Sequence, residues 1–186
     1  ITGTYIGNDH SSNLITGWNL IGYPYEICQT GTNGIKELLD NNKVVQLKNM
    51  THSYDPIVPD FLNTLKYLSP GEGYFLKVNG SFNNFIIPEP TVCTKSAAFI
   101  VHSVCDWQFT GYEKSTIAYG EITLNNLPVI DDAYIGAFAG NECRSVMPLI
   151  QNDGRSYASM VINGDEKEQI KFRLCHGGNV YESKTI

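Results

Sequence analysis

Short segments with strand character recur about every ten residues through the second half of the chain, and this spacing constrains the fold most. They are AAFIVHSV, IAYGEITL, YIGAFAG, ECRSVMPLI, YASMVI, QIKFRLC and VYES. Clusters rich in Asn, Gly and Asp, such as QNDG and HGGN, separate them and favour turns. In QIKFRLC, apolar residues alternate with Lys171 and Arg173, as in a strand with one buried face. The pattern predicts an immunoglobulin-like β-sandwich over residues 93–186.

The first half, residues 1–92, mixes strand and helix patterns and predicts a small α+β module. Two short helices are expected, at IKELLDNN and at FLNTLKYL, where apolar residues fall on one helical face. VVQLK and PGEGYFLKV predict strands. In the second of these strands, alternate apolar side chains point the same way: Tyr74, Leu76 and Val78. The whole chain is therefore expected to be mainly β, with PEPT linking two modules.

The segment GWNLIGYPYE, residues 17–26, raises the question of what its aromatic residues do. As a strand, it places Trp18 and Leu20 on one face and Ile21 on the other, so both faces are apolar. A strand covered on both sides is the favoured interpretation, with Trp18 in the core. The alternative is an exposed platform that stacks on sugars. The aromatic residues expected to be exposed for ligand binding are Tyr23, Tyr25 and Tyr54.

Composition excludes several classes of function. The net charge of the 186 residues is −6, and Lys and Arg form no cluster, which argues against nucleic-acid binding. No apolar run approaches the roughly 18 residues of a membrane span. The first residue is Ile, which favours a processed protein or an excised segment. The four histidines are scattered and no catalytic motif is present, so we expect no enzymatic activity and no catalytic cofactor.

The five cysteines lie far apart in the sequence and form no C-x-x-C motif. In a strand-rich chain, such spacing favours structural disulfides and an extracellular or cell-surface location. The expected bridges are Cys143–Cys175 and Cys28–Cys93, which leaves Cys105 over. Two glycosylation sequons, at Asn49 and Asn79, fit secretion.

Two local features of the second half carry expectations of their own. Gly136 lies inside a strand pattern, where glycine often marks a bulge or a close approach of the backbone. Asp131 and Asp132 lie in a turn between strands, and loop carboxylates are ligands that calcium accepts. They are the candidate residues for a structural calcium ion.

Two motifs resemble modules that recur in large secreted and surface proteins of marine Bacteroidetes-like bacteria. GWNLIGYP followed by PGEGYFLKV resembles the first module, and DDAYIGAFAGNECRSV with a later E-x-I-K-F resembles the accompanying β-sandwich. Ser145 stands where that second motif usually has glycine after ECR. The resemblance covers most of the chain. It implies non-catalytic parts of adhesins, surface-layer proteins or polysaccharide-degrading enzymes.

The functional expectation is a structural or adhesive module pair in a surface assembly or filament. Both ends of the sequence, ITGTYIG and VYESKTI, have strand character. Strand pairing with other copies of the chain or with neighbouring surface modules would hold such an assembly together. The alternative is a carbohydrate-binding module that uses the three tyrosines named above to bind polysaccharide.

Overall fold

The computed structural model describes residues 10–93, 105–112, 114–165 and 167–183. The chain is mainly β, with 48% strand and 7% helix, which confirms the predicted fold class. It divides into two compact units. Unit 1 comprises the described residues of Ile1–Asn49, Tyr54–Ile57 and Leu65–Ala98, and unit 2 those of Met50–Ser53, Val58–Thr64 and Phe99–Ile186.

Several expectations fall outside the described residues. The strands expected at ITGTYIG and AAFIVHSV lie there, as do the last three residues of VYESKTI. The module boundary between residues 92 and 93 stays a prediction. In the part of the chain that is described, no helix has the length and hydrophobicity needed to span a membrane.

Eight short strands and two short α-helices occupy the described part of the first half. They are β1 (Ser12–Leu14), β2 (Gly17–Gly22), β3 (Gln29–Thr30), α1 (Gly31–Gly34), α2 (Lys36–Asp40), β4 (Val44–Lys48), β5 (Ser53–Tyr54), β6 (Tyr67–Leu68), β7 (Gly73–Val78) and β8 (Phe82–Phe85). The main sheet has the order β2-β7-β4-β5, and two-stranded ribbons form from β1 with β8 and from β3 with β6.

The core of unit 1 lies against one face of its main sheet. Tyr74, Leu76 and Val78 on β7 are buried, as the alternation predicts, together with Ile21 on β2 and Leu47 on β4. Phe75 and Lys77 lie between the buried positions of β7 and point to the opposite face. Because only one face meets the core, the sheet presents its other face away from the core.

The prediction of a second helix in the first half is wrong. Over FLNTLKYL the structure has a 3₁₀ turn at Asp60–Leu62 and then strand β6. The backbone N–H of Thr64 donates to the carbonyl of Ser53, and the N–H of Ser53 donates to Thr64 Oγ1. These bonds hold the segment extended, so tertiary hydrogen bonds override the helical spacing of its apolar residues.

The second half contains nine strands among the described residues. They are β9 (Ser115–Glu121), β10 (Thr123–Leu124), β11 (Leu127–Pro128), β12 (Ala133–Ala139), β13 (Glu142–Pro148), β14 (Ile150–Asn152), β15 (Arg155–Asn163), β16 (Ile170–His176) and β17 (Asn179–Glu182). Two antiparallel sheets form, in the orders β13-β12-β16-β17 and β14-β15-β9, and β10 pairs with β11. Alternate residues of both sheets, such as Ile135 and Met160, share one core, as in a β-sandwich.

Gly136 on β12 marks a close approach, one of the two outcomes expected from its place inside a strand. A Cβ atom there would lie 2.6 Å from Phe138 and 2.8 Å from Trp107. These two aromatic rings pack edge to face, with centroids 5.2 Å apart. The space beside the Gly136 backbone is therefore filled by aromatic side chains, which only glycine permits.

The structure has two disulfides, Cys28–Cys93 and Cys105–Cys175, and Cys143 is a buried free thiol. The first is the pair expected from the sequence. The expected Cys143–Cys175 bridge is wrong, because the two residues lie on strands β13 and β16, which flank β12 on opposite sides. Cys143 pairs with Phe138 and Cys175 with Tyr134, four residues apart along β12. Two strand spacings alone separate them by about 9 Å, too far for a disulfide.

Candidate functional site

Trp18 is exposed, and its expected place in the core is wrong. Its side chain is 43% exposed, and that of Leu20, two residues along β2, is 73% exposed. Ile21, on the opposite face of the same strand, is buried in the core. Both faces of the strand are apolar in sequence, but unit 1 covers only one of them.

We call the outward side of the main sheet in unit 1 the Trp18 face. Six side chains on three adjacent strands define it: Trp18, Leu20, Gln46, Lys48, Phe75 and Lys77. The register of the strands sets these side chains in two rows. Trp18 lies opposite Lys77, which lies opposite Gln46; Leu20 lies opposite Phe75, which lies opposite Lys48. The face thus combines an aromatic ring, apolar side chains and two cations, and none of its six positions is acidic.

Both lysines of the Trp18 face lie against the tryptophan ring. Lys48 Nζ is 4.8 Å and Lys77 Nζ is 5.6 Å from the ring centroid, within the range of cation–π attraction. Lys48 is only 5% exposed. Burial lowers the pKa of the Lys48 ammonium group, and the nearby charge of Lys77 lowers it further. Both ammonium groups of the face therefore lie beside one exposed ring.

The second surface is the outer edge of β17. This strand pairs with β16 on one side, and the described residues supply no partner on its other side. All four of its residues are exposed, including the apolar Val180 at 53% and Tyr181 at 36%. A strand with an open edge and exposed apolar side chains offers main-chain donors and acceptors to another strand.

The three tyrosines expected to bind ligand are not part of the Trp18 face. Tyr23 is buried, so its expected exposure is wrong, and its hydroxyl donates to the carbonyl of Ile27 at 2.7 Å. The Tyr25 hydroxyl donates to the carbonyl of Ile87 at 2.6 Å. Tyr25 and Tyr54 are both half-buried and pack against the core of unit 1. The structure therefore gives these rings a packing role and places the exposed aromatic side chain of this segment at Trp18.

Asp131 and Asp132, the candidate calcium ligands, are both exposed. Asp131 has a backbone φ of 87°, a conformation common in turns. Within the described ranges, no three acidic, His or Cys side chains converge as a metal site would require. The calcium ion stays a prediction.

The two sequons differ in their surroundings. Asn79 is exposed, and its side-chain amide donates to the carbonyl of Asn42 at 2.9 Å. Asn49 is half-buried and has polar contacts. Glycosylation at either position stays a prediction.

Arg144 is the centre of a charged cluster in unit 2. Its side chain is buried, forms ion pairs with Glu168 and with Glu142 at 3.3 Å, and stacks on the Tyr112 ring at 3.9 Å. The Tyr112 hydroxyl donates to the same Glu142 carboxylate at 2.6 Å. A buried guanidinium neutralised by two carboxylates is a structural arrangement.

Comparison with protein-family models, with curated proteins and with solved structures found no match for this chain. The exposed Trp18 was missed in the sequence because the alternation of β2 shows two apolar faces and gives no sign of which one is covered. The signal that could have indicated exposure is the pair of lysines. Lys48 and Lys77 fall on alternating positions of two neighbouring strand patterns, on the face opposite the core.

Proposed function

We propose that this chain is a non-catalytic extracellular structural module pair that joins a surface assembly by strand pairing. The observation that carries the proposal is the open edge of β17, with every residue of that strand exposed. Its partner is a strand of another copy of the chain. When the edge of β17 pairs with a different surface of the next copy, the contact is head to tail, and it builds an open filament where the rotation between copies does not close a ring.

The location is supported by the cysteines. Two disulfides indicate an oxidising environment, as found outside the cell. They also suit a structural component, since each bond restrains a long stretch of chain, 65 and 70 residues respectively.

The ladder between β16 and β17 identifies which backbone groups are open. Ser183 N–H donates to the Phe172 carbonyl, so these residues form a hydrogen-bonded pair. Hydrogen-bonded pairs alternate along an antiparallel ladder. Tyr181 therefore bonds β16, whereas Val180 and Glu182 direct their N–H and C=O groups to the open edge. An added strand would bond to these two residues.

Val180→Pro tests the proposal at that edge. Proline removes the outward N–H of residue 180 and leaves the bonds of β17 to β16 in place. We expect at least a tenfold rise in the concentration at which the full chain assembles, measured by analytical ultracentrifugation and electron microscopy. Val180→Thr is the matched control, because it keeps the N–H and the branched side chain shape, and it should assemble like the wild type.

Amide exchange distinguishes an open edge of β17 from an edge that another part of the same chain already covers. In dilute, monomeric protein, the amides of Val180 and Glu182 should exchange fast and should become protected on assembly. Slow exchange of both amides in the monomer, or wild-type protein that stays monomeric at the highest soluble concentration, contradicts the proposal.

A further inference from the structure

The Trp18 face has the features of a ligand site that is separate from the edge of β17. It lies in unit 1, on the side of the sheet that faces away from the core, whereas β17 belongs to unit 2. Trp18 is 43% exposed and lies beside Leu20 at 73%, so the face offers an aromatic ring and an aliphatic side chain side by side. The position of the Trp18 ring and the charge of the face indicate which kind of ligand it binds.

The Trp18 ring contacts two cations and is also partly exposed. Strand β2 is the edge of the main sheet among the described residues, and Lys77 and Lys48 lie on the two strands next in order. Both ammonium groups therefore approach Trp18 from the inner side of the sheet. Trp18 is still 43% exposed with both ammonium groups over its ring, so part of its apolar surface is available next to positive charge.

The sign of that charge selects the ligand. The whole chain carries −6, yet the Trp18 face holds two lysines and no acidic residue. Among the described residues, no carboxylate forms an ion pair with Lys77. A negative group at Lys77 would also relieve the repulsion between the two ammonium groups, which lowers the pKa of Lys48.

We propose that the Trp18 face binds an anionic polysaccharide, with one carboxylated sugar stacked on Trp18 and its carboxylate paired with Lys77. The C–H face of a sugar is flat and apolar, and a sugar acid carries its charge beside that face, which matches a ring flanked by an ammonium group. Single-stranded nucleic acid also stacks on aromatic rings, but its charge density calls for more cations than this face and this acidic chain supply.

Polygalacturonate and its methyl ester test the proposal, because the two polymers share a backbone and differ in charge. We expect the full chain to bind the acid at least about tenfold more tightly than the ester, in titration calorimetry and affinity electrophoresis. Trp18→Ala should weaken binding at least about tenfold, as loss of a central aromatic contact does. Lys77→Met should weaken it about fivefold, and added salt should reduce binding by the wild type.

Matched controls come from exposed residues that are not among the six of the Trp18 face. Lys36→Met removes an exposed charge from α2 in the same unit, and Tyr181→Ala removes an exposed aromatic ring from unit 2; both should bind like the wild type. Trp18→Phe keeps a ring and should retain part of the affinity. Circular dichroism should show wild-type folding for each variant, since Trp18 lies outside the core.

Three outcomes would overturn the proposal: no binding of polygalacturonate, equal binding of acid and ester, or tighter binding of single-stranded oligothymidine than of the acid. The last outcome would assign the face to nucleic acid. The site does not depend on the proposed assembly. Val180→Pro should leave polygalacturonate binding unchanged, and Trp18→Ala should leave assembly unchanged, so either idea can fail alone.

Discussion

Gly136 is a residue at which a single added methyl group should destabilise unit 2. Its missing side chain leaves space that Trp107 and Phe138 fill, and Arg173 lies over the Phe138 ring at 4.3 Å. Phe138 is only 3% exposed, so its ring has little room to yield. We expect Gly136→Ala to lower the free energy of unfolding by about 1–3 kcal/mol, as overpacking does, in urea titrations followed by tryptophan fluorescence.

Gly120 on β9 is the control for that substitution. A Cβ atom there meets nothing within 4 Å, and its backbone has no positive φ. Gly120→Ala should leave stability unchanged or raise it slightly, because alanine has less freedom to lose on folding. An equal loss of stability in both variants would show that backbone freedom, and not the aromatic contact, sets the cost.

Cys143 should be an inert thiol in the folded protein. It is buried, its Sγ donates to the Ser145 carbonyl at 3.2 Å, and burial raises its pKa. We expect maleimide at about pH 7 to leave the native protein unlabelled and to add one label per chain in guanidinium without reductant, as read by mass spectrometry. Fast labelling of native protein would contradict the buried position.

The raised pKa of Cys143 also gives a direction for the pH dependence of stability. The folded state holds the protonated thiol more firmly than the unfolded chain does. The resulting stabilisation is complete below the unfolded pKa of about 8.5 and is lost as pH rises through the raised pKa of the folded state. Cys143→Ala should therefore unfold with a weaker pH dependence above pH 8 than the wild type.

At the scale of elements, periodicity predicted the strands well where one face meets a core. Tyr74, Leu76 and Val78 alternate with less buried positions, and the structure buries all three. The helix expected at FLNTLKYL failed because Thr64 and Ser53, eleven residues apart, bond each other. No local pattern reports such a contact. Trp18 was missed for a related reason, since covering a strand face depends on the neighbouring layers and not on the strand itself.

The cysteine pairing shows the same limit. Sequence spacing indicates disulfides but not their partners, because pairing depends on which strands lie side by side. Strand β12 lies between β13 and β16, and this order alone separates Cys143 from Cys175. Sheet order joins residues far apart in sequence, and neither composition nor alternation contains it.

At the scale of the whole molecule, each unit has its own core and its own disulfide. In the double variant Cys28→Ser with Cys93→Ser, loss of a crosslink spanning 65 residues should lower the free energy of unfolding by about 4 kcal/mol. Hydrogen exchange read by mass spectrometry should show the loss of protection in unit 1 peptides such as those of β7. Undiminished protection in β7 would mean that the bond contributes little to unit 1.

The order of the cysteines along the chain has a consequence for the formation of the two disulfides. Cys28 and Cys93 are neighbours in the series, so no cysteine between them competes for either partner when this bond forms. Cys105 has no such advantage, because Cys143 lies between it and its partner Cys175 and competes for the bond. In oxidative refolding of the reduced chain, formation of the later bond should therefore depend on an isomerase that reshuffles it, and the yield of native disulfides should fall without one.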